Sequence, residues 1–462
     1  MKSRRQFLQG TLAMPLMMGG GSLLGSLAGF NAQAADTSGY RALVCVFLFG
    51  GMDCHDTVLP FDQSSYNDYA DVRSALLANY AALPGGSSRS RDALLPLEPA
   101  TGSFDGRQFA LPPQMSALHS LFQQGRAAVV GNVGPLVEPV NRNAFKAKTA
   151  NTPARLFSHN DQQSTWMSFA PEGAQFGWGG RFGDALSGAN AESVFSQVSL
   201  SGNAIFLTGD SVSPYQISPA GVPAIRLIEA APQQFAGLFR DHFASAGAAR
   251  SNLFERDFID ISRVTLEANE LLDAALQAGS SLATPFPGSR LGQQLRSVAQ
   301  TIAVRNQLGA KRQVFFVAQG GFDTHSNQAN DLPELQQSIS DAIGAFYRAT
   351  EELGVANDVT TFTAADFGRT LTVNGDGTDH GWGGHHFVVG GAVRGGEIYG
   401  DIPVSQLGHA QDAGNGRLIP TTSVEQFAAP MGRWFGLNEQ ALATALPGLS
   451  GFAGSGPQFL RV

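Results

Sequence analysis

The chain is expected to fold as an α/β protein, a largely parallel sheet covered by helices on both sides. Three observations carry this expectation: short, continuously apolar runs recur, stretches of helical periodicity lie between them, and Gly-rich turns follow several of the runs. The first run, Leu43 to Phe49, is apolar at every position and stops at Gly50-Gly51, as a strand buried on both faces does. Similar runs stand at Ala127 to Val130, Val314 to Ala318, Val359 to Thr363 and Phe387 to Val389. Between Asn252 and Gly279, apolar residues fall mostly at helical spacing, at Leu253, Phe254, Phe258, Ile261, Val264, Leu266, Leu271 and Leu272. The stretch Leu332 to Leu353 does the same through Leu335, Ile339, Ile343, Phe346 and Leu353. The Gly- and Pro-rich segments Pro84 to Asp105 and Thr284 to Ser289 read as surface loops within one domain.

A chain of 462 residues with 43% apolar and 15% charged residues has enough material for a deep core, and its 55 glycines imply many tight turns. The net charge of −8 lacks the basic excess that nucleic-acid binding draws on, so no nucleic-acid partner is expected. Two cysteines, Cys45 and Cys54, exclude a disulfide framework, and Cys45, inside the first apolar run, reads as a core residue.

The N-terminus carries Arg4-Arg5, a moderately apolar stretch from Thr11 to Phe30, and the small-residue pattern Ala32-Gln33-Ala34. It resembles a twin-arginine signal peptide over residues 1–34. That resemblance implies export in a folded state to the periplasm or beyond, leaving 35–462 as a single α/β domain. No other segment offers about 18 continuous apolar residues, so no stable membrane span is expected after signal removal.

Ligands of open α/β sheets gather beyond the carboxyl ends of the strands. There the sequence places Gly50-Gly51-Met52-Asp53-Cys54-His55-Asp56, Gly320-Gly321-Phe322-Asp323-Thr324-His325, Asp366-Phe367-Gly368-Arg369, and Asp379-His380 followed by His385-His386. Aspartate and neutral imidazole suit zinc, and with more carboxylate manganese, magnesium or calcium. Each residue also has a structural alternative, such as Asp53 or Asp323 capping a helix.

The motifs Gly320 to His325, Asp366 to Thr370, Gly377 to His380 and Gly390 to Gly396, with Ser158-His159 and Gly177 to Arg181, resemble the exported bacterial family called domain of unknown function fifteen-oh-one. That family resembles the alkaline-phosphatase-like superfamily. The resemblance implies a three-layer sandwich, with a largely parallel, mixed sheet between helices and paired divalent metal ions at the strand ends. It implies Asp53, Asp323, His325, Asp366 and His380 as metal ligands, with His386 or His385 as a substitute for the last. Two positions depart from the relatives, since Asn327 and Phe367 stand where histidines are usual. The superfamily nucleophile opens a helix between the first two metal groups. Ser158 is the positional candidate, the alternative being an N-cap without chemistry. Thr57 and Cys54 are weaker candidates.

The leading expectation is therefore a periplasmic or secreted metal-dependent hydrolase of a phosphate or sulfate ester, whose partner is a small anionic ester. The other is a non-catalytic exported protein that keeps the fold and binds another exported partner.

Overall fold

The computed structural model describes residues 35–83, 88–102, 104–219, 252–279, 281–454 and 456–461, with 237, 238 and 241. The expected signal peptide, 1–34, lies outside them. The strands are β1 (Arg41–Leu48), β2 (Leu59–Pro60), β3 (Leu95–Leu97), β4 (Phe109–Leu111), β5 (Ala127–Gly134), β6 (Gln197–Ser199), β7 (Tyr215–Gln216), β8 (Arg312–Gln319), β9 (Val359–Ala365), β10 (Arg369–Asn374), β11 (Gly377–His380), β12 (Gly384–Val389), β13 (Glu397–Gly400) and β14 (Thr422–Ser423). The helices are α1 (Gln63–Ala82), α2 (Ser116–Gln123), α3 (Arg142–Lys146), α4 (His159–Ser168), α5 (Trp178–Ala185), α6 (Leu253–Ala278), α7 (Arg290–Ala303), α8 (Gln328–Glu352), α9 (Val424–Phe435) and α10 (Glu439–Ala445).

A nine-stranded sheet runs in the order β13-β5-β12-β9-β1-β8-β6-β7, with β14 also on β5. All of its pairings are parallel except those of β12, which runs against both β5 and β9. All five apolar runs became sheet strands, and both helical stretches became helices, α6 starting on its Asn252 N-cap. The segment Pro84 to Asp105 is less irregular than its composition suggests. Its Leu95–Leu97 pairs with β4 in a small three-stranded sheet that includes β2.

Alternation along β1 divides the core in two. Val44, Val46 and Leu48 face α2, α7 and α8 through Leu118, Leu295, Val298, Ile339 and Ile343. Leu43, Cys45 and Phe47 face α4, α5 and α9 through Trp166, Trp178, Phe182 and Phe427. Every residue of β1 from Ala42 on is buried, so the run has no polar alternation because neither face meets water. This is a mostly parallel, mixed sheet flanked by helices. Both cysteines are free and buried. Among the described residues, no helix is long and apolar enough to cross a membrane.

Candidate metal centre

Three parallel strands end nearly flush, with Leu48 of β1 opposite Gln319 of β8 and Ala365 of β9. Gly50, just past β1, ties this strand end to its neighbours. Its N–H donates to Asp366 Oδ2 (3.2 Å) and its carbonyl accepts from Arg369 Nη1 (2.8 Å). With φ of 113°, and a Cβ that would fall 2.3 Å from Asp323 N, this position accepts only glycine.

Asp323 stands at the centre of the group. Its Oδ1 accepts from Arg369 Nη1 at 2.8 Å and lies 3.1 Å from Nε2 of both His325 and His380. Its Oδ2 is 3.4 Å from His159 Nε2. Burial raises the Asp323 carboxyl, but the hydrogen bond and charge of Arg369, with the imidazoles of His325 and His159, outweigh it and hold the pKa below the ordinary value. Arg369 is wholly buried and spends its donors inside the protein, on Thr378 Oγ1 and carbonyl, Gly50 O and Asp323. It orients this carboxylate.

Each of the three imidazoles has Nδ1 against an acceptor. His159 Nδ1 lies 2.6 Å from Asp366 Oδ2, His380 Nδ1 2.8 Å from the carbonyl of Phe157, and His325 Nδ1 3.3 Å from Asp379 Oδ1. Proton-bearing Nδ1 atoms leave lone pairs on Nε2, and all three Nε2 atoms face Asp323. The Nε2 atoms of His325 and His380 are only 2.8 Å apart. Two lone pairs at that distance repel unless a proton or a cation lies between them. Ligands 2.0–2.2 Å from a tetrahedral zinc lie about 3.4 Å from one another, close to the separations around Asp323. His159, Asp323 and His380 offer ligand atoms all within 4.8 Å of each other, and His325 flanks this trio.

Asp366 stands behind the trio. It is fully buried and holds His159 with Oδ2, which also accepts from Gln163 Nε2 (2.9 Å), while its Oδ1 has no hydrogen-bond partner. The hydrogen bond to Asp366 is the main reason that the His159 pKa is raised, whereas burial lowers that of His380. Phe367 packs on both rings, 4.9 Å from His159 and 4.7 Å from His380 between centroids, so it is a wall to the site. Asp366→Asn is expected to weaken divalent-metal binding about 10- to 100-fold by loosening control of the His159 tautomer. Competition with a chelator measures it, and unchanged affinity would remove Asp366 from the support shell.

The structure does not bring Asp53 into this group. Its carboxylate is wholly buried and forks onto Arg73 of α1 (Nη1 2.6 Å, Nη2 3.0 Å), with further bonds from Gln328 Nε2 and the His55 N–H. All its acceptor sites are spent, because α1 delivers a cation to the place where a metal was expected. Asp53 meets the centre indirectly, for instance through the chain Gln328, Thr378 and Arg369. Nor is His386 a member. It lies inside β12 rather than beyond its end, packed on Trp166, and burial pushes its pKa down to about 3. His385 is buried too and accepts from Asn132 N–H. Asn327 bonds to Asp331 and Asn330.

Ser158 is the N-cap residue of α4, immediately before His159, and its hydroxyl donates to Asp161 Oδ2 (2.9 Å) instead of capping the helix. Thr57 is buried with its hydroxyl on Asp53 O, and burial pushes the Cys54 thiol up to about 12. His159 is the member of the group that sequence reasoning missed as a candidate ligand. Its signal was the Ser158-His159 pair at a helix start, where a search of strand ends does not look.

A family model described as "Protein of unknown function (DUF1501)" matches residues 40–450. No curated protein matches the chain. Among solved structures, the chain is similar at 8% identity to "Crystal structure of Ps i-CgsB in complex with k-i-k-neocarrahexaose", covering 87% of this chain and 74% of that one with a TM-score of 0.35. "Crystal structure of Ps i-CgsB" matches with the same identity and coverage and a TM-score of 0.34.

Proposed function

We propose that this chain, which belongs to the DUF1501 family of unknown function, is an exported metal-dependent hydrolase of a phosphate or sulfate ester with an alkaline-phosphatase-like fold. One observation carries the reading: His159 and His380, hydrogen-bonded through Nδ1, and His325, with Nδ1 3.3 Å from Asp379, turn Nε2 toward a single half-exposed carboxylate. His159, Asp323 and His380 would hold a divalent ion, with His325 as a fourth ligand. The imidazole-rich donor set favours zinc over magnesium or calcium. When bound, the ion supplies Lewis-acid neutralisation of the ester oxygens.

The protein's own part begins with Ser158. Its hydroxyl attacks phosphorus or sulfur, Asp161 Oδ2 receives the hydroxyl proton, and the ester P–O or S–O bond breaks with its electron pair leaving on the alcohol oxygen. Water then attacks the phosphorus or sulfur, the bond to Ser158 Oγ breaks, and Asp161 returns its proton to Oγ as phosphate or sulfate leaves. The test is turnover of p-nitrophenyl phosphate and sulfate by the full chain supplied with zinc or manganese. Ser158→Ala is expected to lower it at least about 100-fold. Wild type inert on both esters while holding metal would overturn the hydrolase reading.

A second reading, a non-catalytic exported binding protein, is favoured by Arg369. Four of its five N–H donors are used within the protein and its side chain is wholly buried, so it presents no open guanidinium to an anionic substrate.

A further inference from the structure

Helix α4 begins with His159 and ends at Phe169, whose backbone turns left-handed (φ 66°). Ten residues of helix span about 15 Å, so the far end of α4 is a different place from the His/Asp group. There the guanidinium of Arg181, on α5, sits over the Phe169 ring, 5.9 Å from its centroid. Arg181 also lines a cavity of about 560 Å³ shared with Phe176, Asp210 and residues of α10. That volume lies within the range of about 300–1,000 Å³ usual for small-molecule sites.

Arg181 is half-buried and, among the described residues, no carboxylate pairs with it. Its Nη1 donates to the carbonyl of Ala445 at 3.4 Å. The natural partner is Asp184, three residues on along the same helix and in the same wall. Asp184 instead receives the N–H groups of Asp210, Ser211 and Val212 and the hydroxyl of Ser211, at 2.7 to 3.0 Å. Three of these four donors share Oδ1 and one takes Oδ2, so Asp184 is held by the 210–212 turn and makes no ion pair with Arg181. Arg181 has five N–H donors in a planar fork, and most of them remain for whatever enters the cavity. Burial alone lowers its pKa, with nothing acidic opposing it.

We propose that this cavity binds a small organic monocarboxylate, gripped by the Arg181 fork, with its apolar body against Phe176, Ala441 and Ala445. Asp210, exposed in the same lining, opposes a dianion such as a phosphate monoester more strongly than a monocarboxylate. The site is independent of that centre.

The experiment titrates the full chain with phenylacetate, phenylacetamide and inorganic phosphate, read by calorimetry and ligand-observed NMR. Phenylacetate is expected to bind, while the neutral amide and phosphate bind at least tenfold more weakly. Arg181→Gln should weaken phenylacetate at least tenfold. Ala441→Trp, which fills the cavity and leaves Arg181 in place, should abolish binding, and it decides the matter alone if the arginine variant folds poorly. Metal content should be unchanged in both variants. Phenylacetate failing to bind wild type, phosphate binding equally well, or phenylacetate affinity surviving both substitutions would each overturn the proposal.

Discussion

His159→Ala is expected to lower the affinity for a divalent ion by more than about 100-fold. Loss of a supporting group costs about 10- to 100-fold, and His159 supplies a donor atom directly. The same change also leaves Asp366, wholly buried, without the imidazole that holds its Oδ2. His159→Gln, which restores a donor to Asp366 but is a poorer metal ligand, separates the two effects. Metal analysis after dialysis, with thermal unfolding of the same samples, gives the readout. If both variants keep one equivalent of metal per chain, the centre does not use His159 as a ligand, and the trio around Asp323 is only a network of hydrogen bonds.

Asp53→Asn should do the reverse, losing stability while keeping metal. The Arg73–Asp53 pair is completely buried on both sides, and removal of one partner from such a pair costs about 3–5 kcal/mol because the remaining charge has no solvent. Replacing both, as Asp53→Leu with Arg73→Met, should cost much less. Burial raises the Asp53 carboxyl, but the charge and hydrogen bonds of Arg73, with Gln328, overcome it and leave the pKa below the usual value. The sign follows from linkage: the pair's contribution is complete above the unfolded carboxylate pKa of about 4 and is lost as pH falls through the lower folded value. Denaturant unfolding of wild type and Asp53→Asn across pH 2 to 7 should therefore converge at the acid end. An Asp53→Asn protein of normal stability but without metal would return Asp53 to the ligand set.

Asp53 and Asp323 show where sequence reading runs out. Gly50-Gly51-Met52-Asp53 and Gly320-Gly321-Phe322-Asp323 share one local pattern after a buried strand, yet one aspartate is filled by the fork of Arg73 with Gln328 and a backbone N–H, while the other, bonded once to Arg369, still faces three histidines. Arg73 decides the difference from 20 residues away, on a helix whose approach no local pattern encodes. The strands themselves were legible, because continuous burial leaves a continuous apolar run. Their direction was not. Phe387 to Val389 reads the same whichever way β12 is threaded, so His385 and His386, counted as residues near a strand end, lie within the sheet instead. Asp323, His325 and His380 were found because glycine turns at strand ends mark where backbone must make room. His159 follows no apolar run, and only the packing of α4 against the strand ends brings it in.

The reversed strand β12 has a consequence for how this protein can change. Residues 366–383 leave the sheet from the end of β9 and re-enter it beside the same rim, carrying the β10–β11 hairpin with Arg369, Asp379 and His380. Parallel neighbours need a crossover that returns the full height of the sheet, so altering such a link rebuilds a helical layer. This excursion has no such return leg. Insertions at the open tip residue Gly375 leave strand order and both cores as they are, whereas Asp376 is held by its carbonyl on Gln328 N. Variation in what the rim admits can therefore accumulate at this tip, while the body of the hairpin is fixed by its bonds to Arg73 and Asp323.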